Sequence, residues 1–305
     1  MSTYILKRLG EAILVCFGIS LITFLLLHVA GDPVQLLLSI EAKAEDAAIL
    51  RKSLGLDQPL YVQYGIFLKG LLQLDFGHSL FIREPALSLV MERFPATIHL
   101  TVAGMVIALL IAIPLGVVAA VRRYSFLDNL CTALAVSGQA MPIFWLGLML
   151  IILFSVRFHL LPASGRGTFA HLLMPAFTLG ASLAPITMRM TRSKMLDILS
   201  ADYIRTARAK GLHEQVVLFR HALRNASIPI VTILGLQFGR LLGGAIVTEA
   251  VFAWPGLGTL ALSAIRNFDY PLAQACILTM AFIIVMVNLG IDVLVGWLDP
   301  RIRFD

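Results

Sequence analysis

Charge is scarce in this sequence. Only 14% of its 305 residues are Asp, Glu, Lys or Arg, against 59% hydrophobic, and the mean hydropathy is +0.88. A soluble domain of this length cannot hide so much apolar surface, so the composition excludes one and demands a lipid solvent. Cysteine is nearly missing as well. Cys16, Cys131 and Cys276 each fall inside an apolar run, without paired spacing or neighbouring histidines, which implies neither a disulfide framework nor a metal centre. No Gly-x-x-x-x-Gly-Lys-Ser/Thr phosphate loop occurs, so the chain carries no recognisable nucleotide cradle. Gly-x-Ser-x-Gly, His-Glu-x-x-His and paired intramembrane carboxylates are missing too, and the chain reads as a non-enzyme with no catalytic residue, metal ligand or cofactor of its own. A net charge of +6 and a pI near 9.5 do not indicate nucleic acid, because no basic stretch is interleaved with aromatics.

What the chain has instead is six long apolar runs. The first, residues 9–30, follows Lys7 and Arg8 and supplies the roughly 20 residues that cross a hydrocarbon core of about 30 Å. It is long for the apolar part of a signal peptide, and His28-Val29-Ala30 is a poor cleavage site, so it is read as a membrane helix. The others cover residues 97–121, 130–156, 171–190, 229–252 and 272–297. Gly138 and Met141-Pro142 predict a kink near the middle of the third. Residues 31–95 are polar and mixed, with turns predicted at Asp32-Pro33, 56–59 and Arg83-Glu84-Pro85, and amphipathic pieces over 44–54 and 62–74. His78, alone beside Asp75, reads as a surface or capping residue. The expected fold is an all-α membrane protein with six transmembrane helices. Residues 1–30 hold the first helix, 31–95 an extracytoplasmic region and 96–305 a core of five more. Fourteen Lys and Arg between Lys7 and Arg303 fall in segments this alternation places inside, against Arg157, Arg166 and Arg266 in short outer loops. That bias puts both termini, and the polar stretch 192–228, in the cytoplasm.

One charge interrupts an apolar run. Arg240 lies about eleven residues from either end of the fifth, where a charge costs about 2.5–3.5 kcal/mol even on a lenient scale. Asp292 and Asn288 on the sixth run are at compatible depths for a structural pair, and the alternative is that Arg240 faces a translocation path. Gln237 and the small residues Gly239, Gly243 and Gly244 permit close helix approach under either reading.

Residues 200–232 are polar and basic between two apolar runs. Ser200 is placed as an N-cap, Asp202 puts negative charge in the first turn, and Gly211 supplies a left-handed residue that ends the helix. Val216, Phe219 and Leu223 then recur at helical spacing, with Arg220 and Arg224 on another face, until Pro229 marks the next boundary. Charge alone would make this an ordinary positive loop. Its pattern, however, Arg205-Thr206-Ala207, three residues, then Gly211, resembles the EAA loop of ATP-binding-cassette importer permeases, with Arg205 and Thr206 where Glu and Ala are usual. The wider DYIRTARAKG, the segment GLDQPLYVQYGIFLKGLLQLDFGHSL over 55–80 and FAWPGLG over 252–258 resemble the dipeptide, oligopeptide and nickel branch, in the first of its two permease types.

That resemblance carries further expectations. It implies the type I importer permease architecture, with Tyr203, Arg205, Thr206, Ala207, Arg208 and Gly211 coupling to a separate ATPase. It implies a second homologous permease, two ATPase subunits that bind the ATP and Mg, and an extracytoplasmic solute-binding protein that the 31–95 region helps to dock. The host membrane would be a bacterial or archaeal plasma (inner) membrane, and the solute a peptide or a related small solute such as nickel or glutathione. The rival reading is a secondary transporter driven by an ion gradient. It calls for membrane-embedded carboxylates, and Glu249 and Asp292 lie only toward the run ends.

Overall fold

The computed structural model describes residues 2–30, 34, 44–53 and 55–298. The turn expected at Asp32-Pro33 and the closing residues 299–303 lie outside them. Among the described residues, five helices are long and apolar enough to cross a membrane, or six if one bent pair counts as a single span. Contacts divide the chain into two compact units: Met1–Ile5, Ile98–Trp254 and Met286–Asp305 form one, and Leu6–Thr97 with Pro255–Val285 form the other.

The first unit is built around α7 (Phe169–Leu199), which packs against α9 (Arg224–Val251) and α5 (Phe126–Ala140). It also meets the later part of α4 (Ala86–Val121) at two glycines. A Cβ on Gly180 would lie 2.6 Å from the Gly104 carbonyl oxygen, and one on Gly116 would lie 2.8 Å from that of Met188, so only glycine permits the crossing. Higher numbers on α4 meet higher numbers on α7, so the two helices run parallel, as helices that cross in the same direction must. The kink expected at Met141-Pro142 is a full break of 101° between α5 and α6 (Ile143–Leu150, continued by a π-type turn Ile151–Arg157). Proline pushes Met141 into extended backbone (φ −78, ψ 127) and Pro142 then caps α6.

Other prolines do not end helices. Pro95, Pro175, Pro185 and Pro229 all sit within helices, so the boundaries expected at Pro95 and Pro229 are corrected: α4 begins at Ala86, and the fifth span runs unbroken over Val216–Val251. Neighbouring helices and local π or 3₁₀ adjustment satisfy the freed carbonyls. A π-type turn at Val216–Leu223 lies just before Pro229.

Arg192, counted above as one of many inner cations, locks α7 to α5. Its Nε and Nη2 donate to the two carboxylate oxygens of buried Asp128, each at 2.7 Å, and Asp128 also accepts from the Tyr124 N–H at 3.0 Å. Asp128→Ala strands a half-buried guanidinium and should cost on the order of 3 kcal/mol. Thermal unfolding of the purified permease checks this. The single variants should melt earlier than the double Asp128→Ala/Arg192→Ala, and an unchanged midpoint in either single variant would show that the pair is idle.

The second unit contains α1 (Ser2–Ala30) from Leu6 onward, α2 (Ala44–Ser53), α3 (Leu60–Leu72), the start of α4, α10 (Leu257–Arg266) and the first half of α11 (Tyr270–Leu298). Its tightest knot is Asp269, which accepts from the Ser79 hydroxyl and from the N–H groups of Leu80, Phe81 and Leu272. Both side chains are buried, so the loop before α4 is tied to the turn before α11. The α10 N-terminus is held likewise, with the Leu257 N–H donating to Thr97 Oγ1 at 2.7 Å. His78 is exposed, and its backbone forms a bridge with Pro85. The region 31–95, expected to lie outside the membrane, includes α3, which packs on α1 through Tyr64 and Phe67.

Candidate functional site: the elbow after α7 and the arginine stripe of α9

Two residues separate α7 from the short α8 (Asp202–Ala209). The N-cap is Ala201, in extended backbone and with no side-chain cap, rather than Ser200, whose hydroxyl donates to the Asp197 carbonyl and so closes α7. The helix runs to Leu199, well past the apolar run expected over 171–190, and the cap falls one residue later than expected. At the far end Gly211 has φ +74. Its N–H donates to the Arg208 carbonyl at 2.9 Å and that of Leu212 to Ala207 at 3.4 Å. These two bonds make a Schellman stop, which needs a left-handed residue and therefore favours glycine.

The sequence-predicted residues are brought together here, but with different parts to play. Ile204 and Ala207 are buried, one turn apart, and seat α8 on the π-type turn Val216–Leu223. Tyr203 Oη accepts from Asn225 Nδ2 at 3.1 Å. Arg208 is braced across the elbow: its Nε and Nη2 donate to Glu214 Oε2 and Oε1 at 3.1 and 2.6 Å. Arg205 and Thr206 point outward. Arg205 keeps only a loose contact with Asp202 at 3.4 Å, and the Thr206 hydroxyl donates to the Asp202 carbonyl. The outcome is a short, braced helix with a cationic outer edge.

Beyond the elbow the buried face is Val217, Ala222, Ala226 and Ile230 instead of the expected Val216, Phe219 and Leu223. A π-type turn takes more residues per turn, so the core-facing positions step by five before returning to four. Val216, Phe219 and Leu212 are left exposed, as is Tyr203.

The pair of Arg208 and Glu214 makes the elbow's response to acid predictable. The hydrogen-bonded guanidinium holds the Glu214 carboxyl below its ordinary value of 4.5, with slight burial opposing. A depressed carboxylate contributes above its ordinary value and loses that contribution as pH falls through the lowered one. Deuterium uptake over residues 202–215, corrected for intrinsic rate, should therefore stay level from about pH 8 to about pH 5. A step in that interval would mean that another group holds the elbow.

Arg240 lies on the other feature. On α9 the residues Gln237, Phe238, Leu241, Leu242, Gly244, Ala245 and Thr248 are buried. Leu236, Arg240, Gly243, Val247 and Ala250 are exposed, spaced four, three, four and three apart. That is a heptad seam on an unpartnered face, with a guanidinium inside the apolar run. Arg240 donates to Gln237 Oε1 at 3.4 Å, one turn away on its own helix. Among the described residues it forms no pair with Asp292 or Asn288, which are half-buried on α11. For Asp292 the register explains this: Ile291 packs where a side chain on Gly235 would stand, so on antiparallel helices Asp292 is six residues, roughly 9 Å along the axis, from the level of Arg240.

A third polar spot, at the opposite end of α7 from the elbow, was not foreseen. Arg166 Nη2 lies 3.1 Å from His99 Nδ1, and its guanidinium sits 5.8 Å from the Trp254 ring centre. These line a pocket of about 470 Å³ with Thr168 and Phe169. Among the described residues no three His, Cys, Asp or Glu side chains gather as a metal would need.

Comparison with known proteins accounts for this arrangement. Residues 112–304 match the family described as "Binding-protein-dependent transport system inner membrane component", and residues 1–101 match its N-terminal companion, "Binding-prot-dependent transport system membrane comp, N-term". The glutathione transport system permease protein GsiC of Escherichia coli (strain K12) is 44% identical over 305 residues, 100% of both chains. GsiC of Salmonella typhimurium (strain LT2) is likewise 44% identical over 100% of both. Among solved structures, an inward-facing form of the MetNI methionine ABC transporter superposes with a TM-score of 0.58 at 19% identity, covering 69% of this chain and 96% of that one, which shows a shared fold. A core of packed apolar helices, a short braced helix between two of its spans, the family match over residues 112–304 and 44% identity along the whole length of such permeases lead to one conclusion: the chain belongs to the binding-protein-dependent transport system inner membrane components, the permeases of ATP-binding-cassette importers.

Proposed function

We propose that this permease forms one half of an import path for small solutes that carry carboxylates, of the peptide and glutathione kind, and that α8 couples it to a separate ATPase. The observation that carries the solute class is Arg240. A guanidinium exposed in mid-membrane needs water or an anion, and it keeps most of its five donors unused. A carboxylate passing at 4 Å gains about 1 kcal/mol at the dielectric of water and about 4 kcal/mol at an effective value of 20. A divalent cation such as nickel meets repulsion of at least that size at the same point. The reading therefore favours peptides or glutathione over nickel.

Family membership brings an ATPase and a solute-binding protein. We further place a second homologous permease against the exposed seam of α9, with one ATPase beneath each permease. The excess of Lys and Arg and the parallel course of α4 and α7 support cytoplasmic termini with the elbow on the same side. Closure of the ATPases on nucleotide would then push α8, and the spans would rock to open the path alternately to each side. The test is uptake into proteoliposomes by the complete importer with its own binding protein. Glutathione or a dipeptide should accumulate only with ATP inside. Uptake driven by an ion gradient without a co-purifying ATPase would make the chain a secondary transporter, and ATP-driven nickel uptake without peptide uptake would overturn the solute class.

A further inference from the structure

α3 reads LYVQYGIFLKGLL, and none of its 13 residues is buried. An apolar helix of this length is too short to span a bilayer, since at 1.5 Å per residue it reaches about 20 Å of the roughly 30 Å required. Such segments are core helices or lie within or at the face of a membrane, and one with no buried residue is not a core helix.

Its contacts set its depth. Tyr64 Oη lies 2.9 Å from Ser20 Oγ on α1. The Tyr64 ring also sits 6.1 Å from Phe17 and 5.3 Å from Phe24, and Phe67 stacks on Phe24 at 6.1 Å. Phe17 is the middle residue of the apolar window Arg8–Leu26 by which α1 crosses the membrane. Tyr64 and Phe67, one turn apart, are therefore held between the midplane and one edge of the hydrocarbon. The rest of α3 faces away from α1, with Tyr61, Ile66 and Leu72 exposed at 77%, 63% and 87%. On α1, too, Ile13, Leu14 and Leu26 are exposed. Polar residues bracket the helix, with Asp57 and Gln58 before it and Gln73 and Asp75 after it. Within α3 the one charge is Lys69, in the last turn, where a long side chain reaches an interface.

We propose that α3 is inserted into one leaflet as a short non-spanning helix, clipped to α1 by Tyr64, with its outer face covered by lipid acyl chains. The segment that follows the first span is then a membrane anchor as well as a connection. The exposed apolar row needs no protein partner, and both ends of α3 return to the same interface.

Nitroxide labels on Ile66→Cys, Leu72→Cys and Ser53→Cys, in the full-length permease within its importer complex in lipid nanodiscs, test this directly. These positions are exposed, so labelling leaves the fold alone. Relaxation by oxygen relative to a water-soluble nickel chelate should be higher at Ile66 and Leu72 than at Ser53 on α2 by about tenfold or more, because polar complexes partition poorly into hydrocarbon. Chelate access at Ile66 and Leu72 equal to that at Ser53 would place α3 in water and overturn the proposal. Exclusion of both relaxants at those two positions would show a protein covering them and overturn it equally. The result does not depend on which solute is carried or on which side α3 lies.

Discussion

Arg240→Ala should leave the permease in the membrane at near-normal abundance and still bound to its partners, yet lower uptake of a carboxylate-bearing solute by roughly 10- to 100-fold. The magnitude follows from losing a hydrogen bond to a charged group, about 1.5–3 kcal/mol, at 1.4 kcal/mol per tenfold. Stability should hold because the guanidinium is exposed on α9 and, among the described residues, hydrogen-bonds to Gln237 of its own helix. Arg240→Lys keeps the charge but loses the planar fork, so it should recover part of the transport. The pairing alternative makes the opposite forecast. If Arg240 neutralised Asp292, Arg240→Ala would destabilise the permease by about 3–5 kcal/mol and a second change at Asp292 would restore it. The measurements are permease abundance, complex retention and uptake per assembled complex. A variant that disappears from the membrane, while its surviving complexes transport normally, would make Arg240 structural and remove the basis for the solute class.

Gly211→Val should separate hydrolysis from transport. The position has φ +74, where an L-residue pays about 1–2 kcal/mol and a β-branched one is disfavoured further. Nothing lies within 4 Å of a Cβ placed there, so the penalty is in the backbone and not in packing. That is too little to unfold a bundle of membrane spans. It is enough to unwind the Schellman stop, release the brace from Arg208 to Glu214 and let α8 point elsewhere. The expected result in reconstituted complexes is normal permease abundance with fewer solute molecules carried per ATP hydrolysed, or with the ATPase lost on purification. Gly211→Ala should show the same fault more weakly. Unchanged coupling and unchanged ATPase retention in Gly211→Val would reduce the stretch 200–232 to a positive loop.

Much of this was readable one residue at a time. The six apolar runs correspond to α1, α4, the broken pair α5 and α6, α7, the span through α9, and α11, because the hydrophobic length needed to cross a bilayer is a local property. The elbow at Gly211 was legible for the same reason, since a left-handed residue is a demand of one backbone position. The lone Arg240 announced itself by its cost in hydrocarbon. Tertiary structure decided what lies far apart in the chain or depends on register. Asp128 meets Arg192 across 64 positions and Asp269 meets Ser79 across 190, and no periodicity links residues at such separations. Glu214 reaches Arg208 only because the elbow folds back between them, at a spacing of six that no helix face supplies. The π-type turn moved the buried stripe from Val216 and Phe219 to Val217 and Ala222, as one added residue per turn rotates every later side chain. Prolines were punctuation at Met141-Pro142 and not at Pro95, Pro175, Pro185 or Pro229, because whether a freed carbonyl finds another donor is settled by neighbours. The helix α3 is the clearest case. Its apolar sequence is compatible with a loop helix or an anchor, and the contact of Tyr64 with Ser20 and Phe24 of α1 sets its depth.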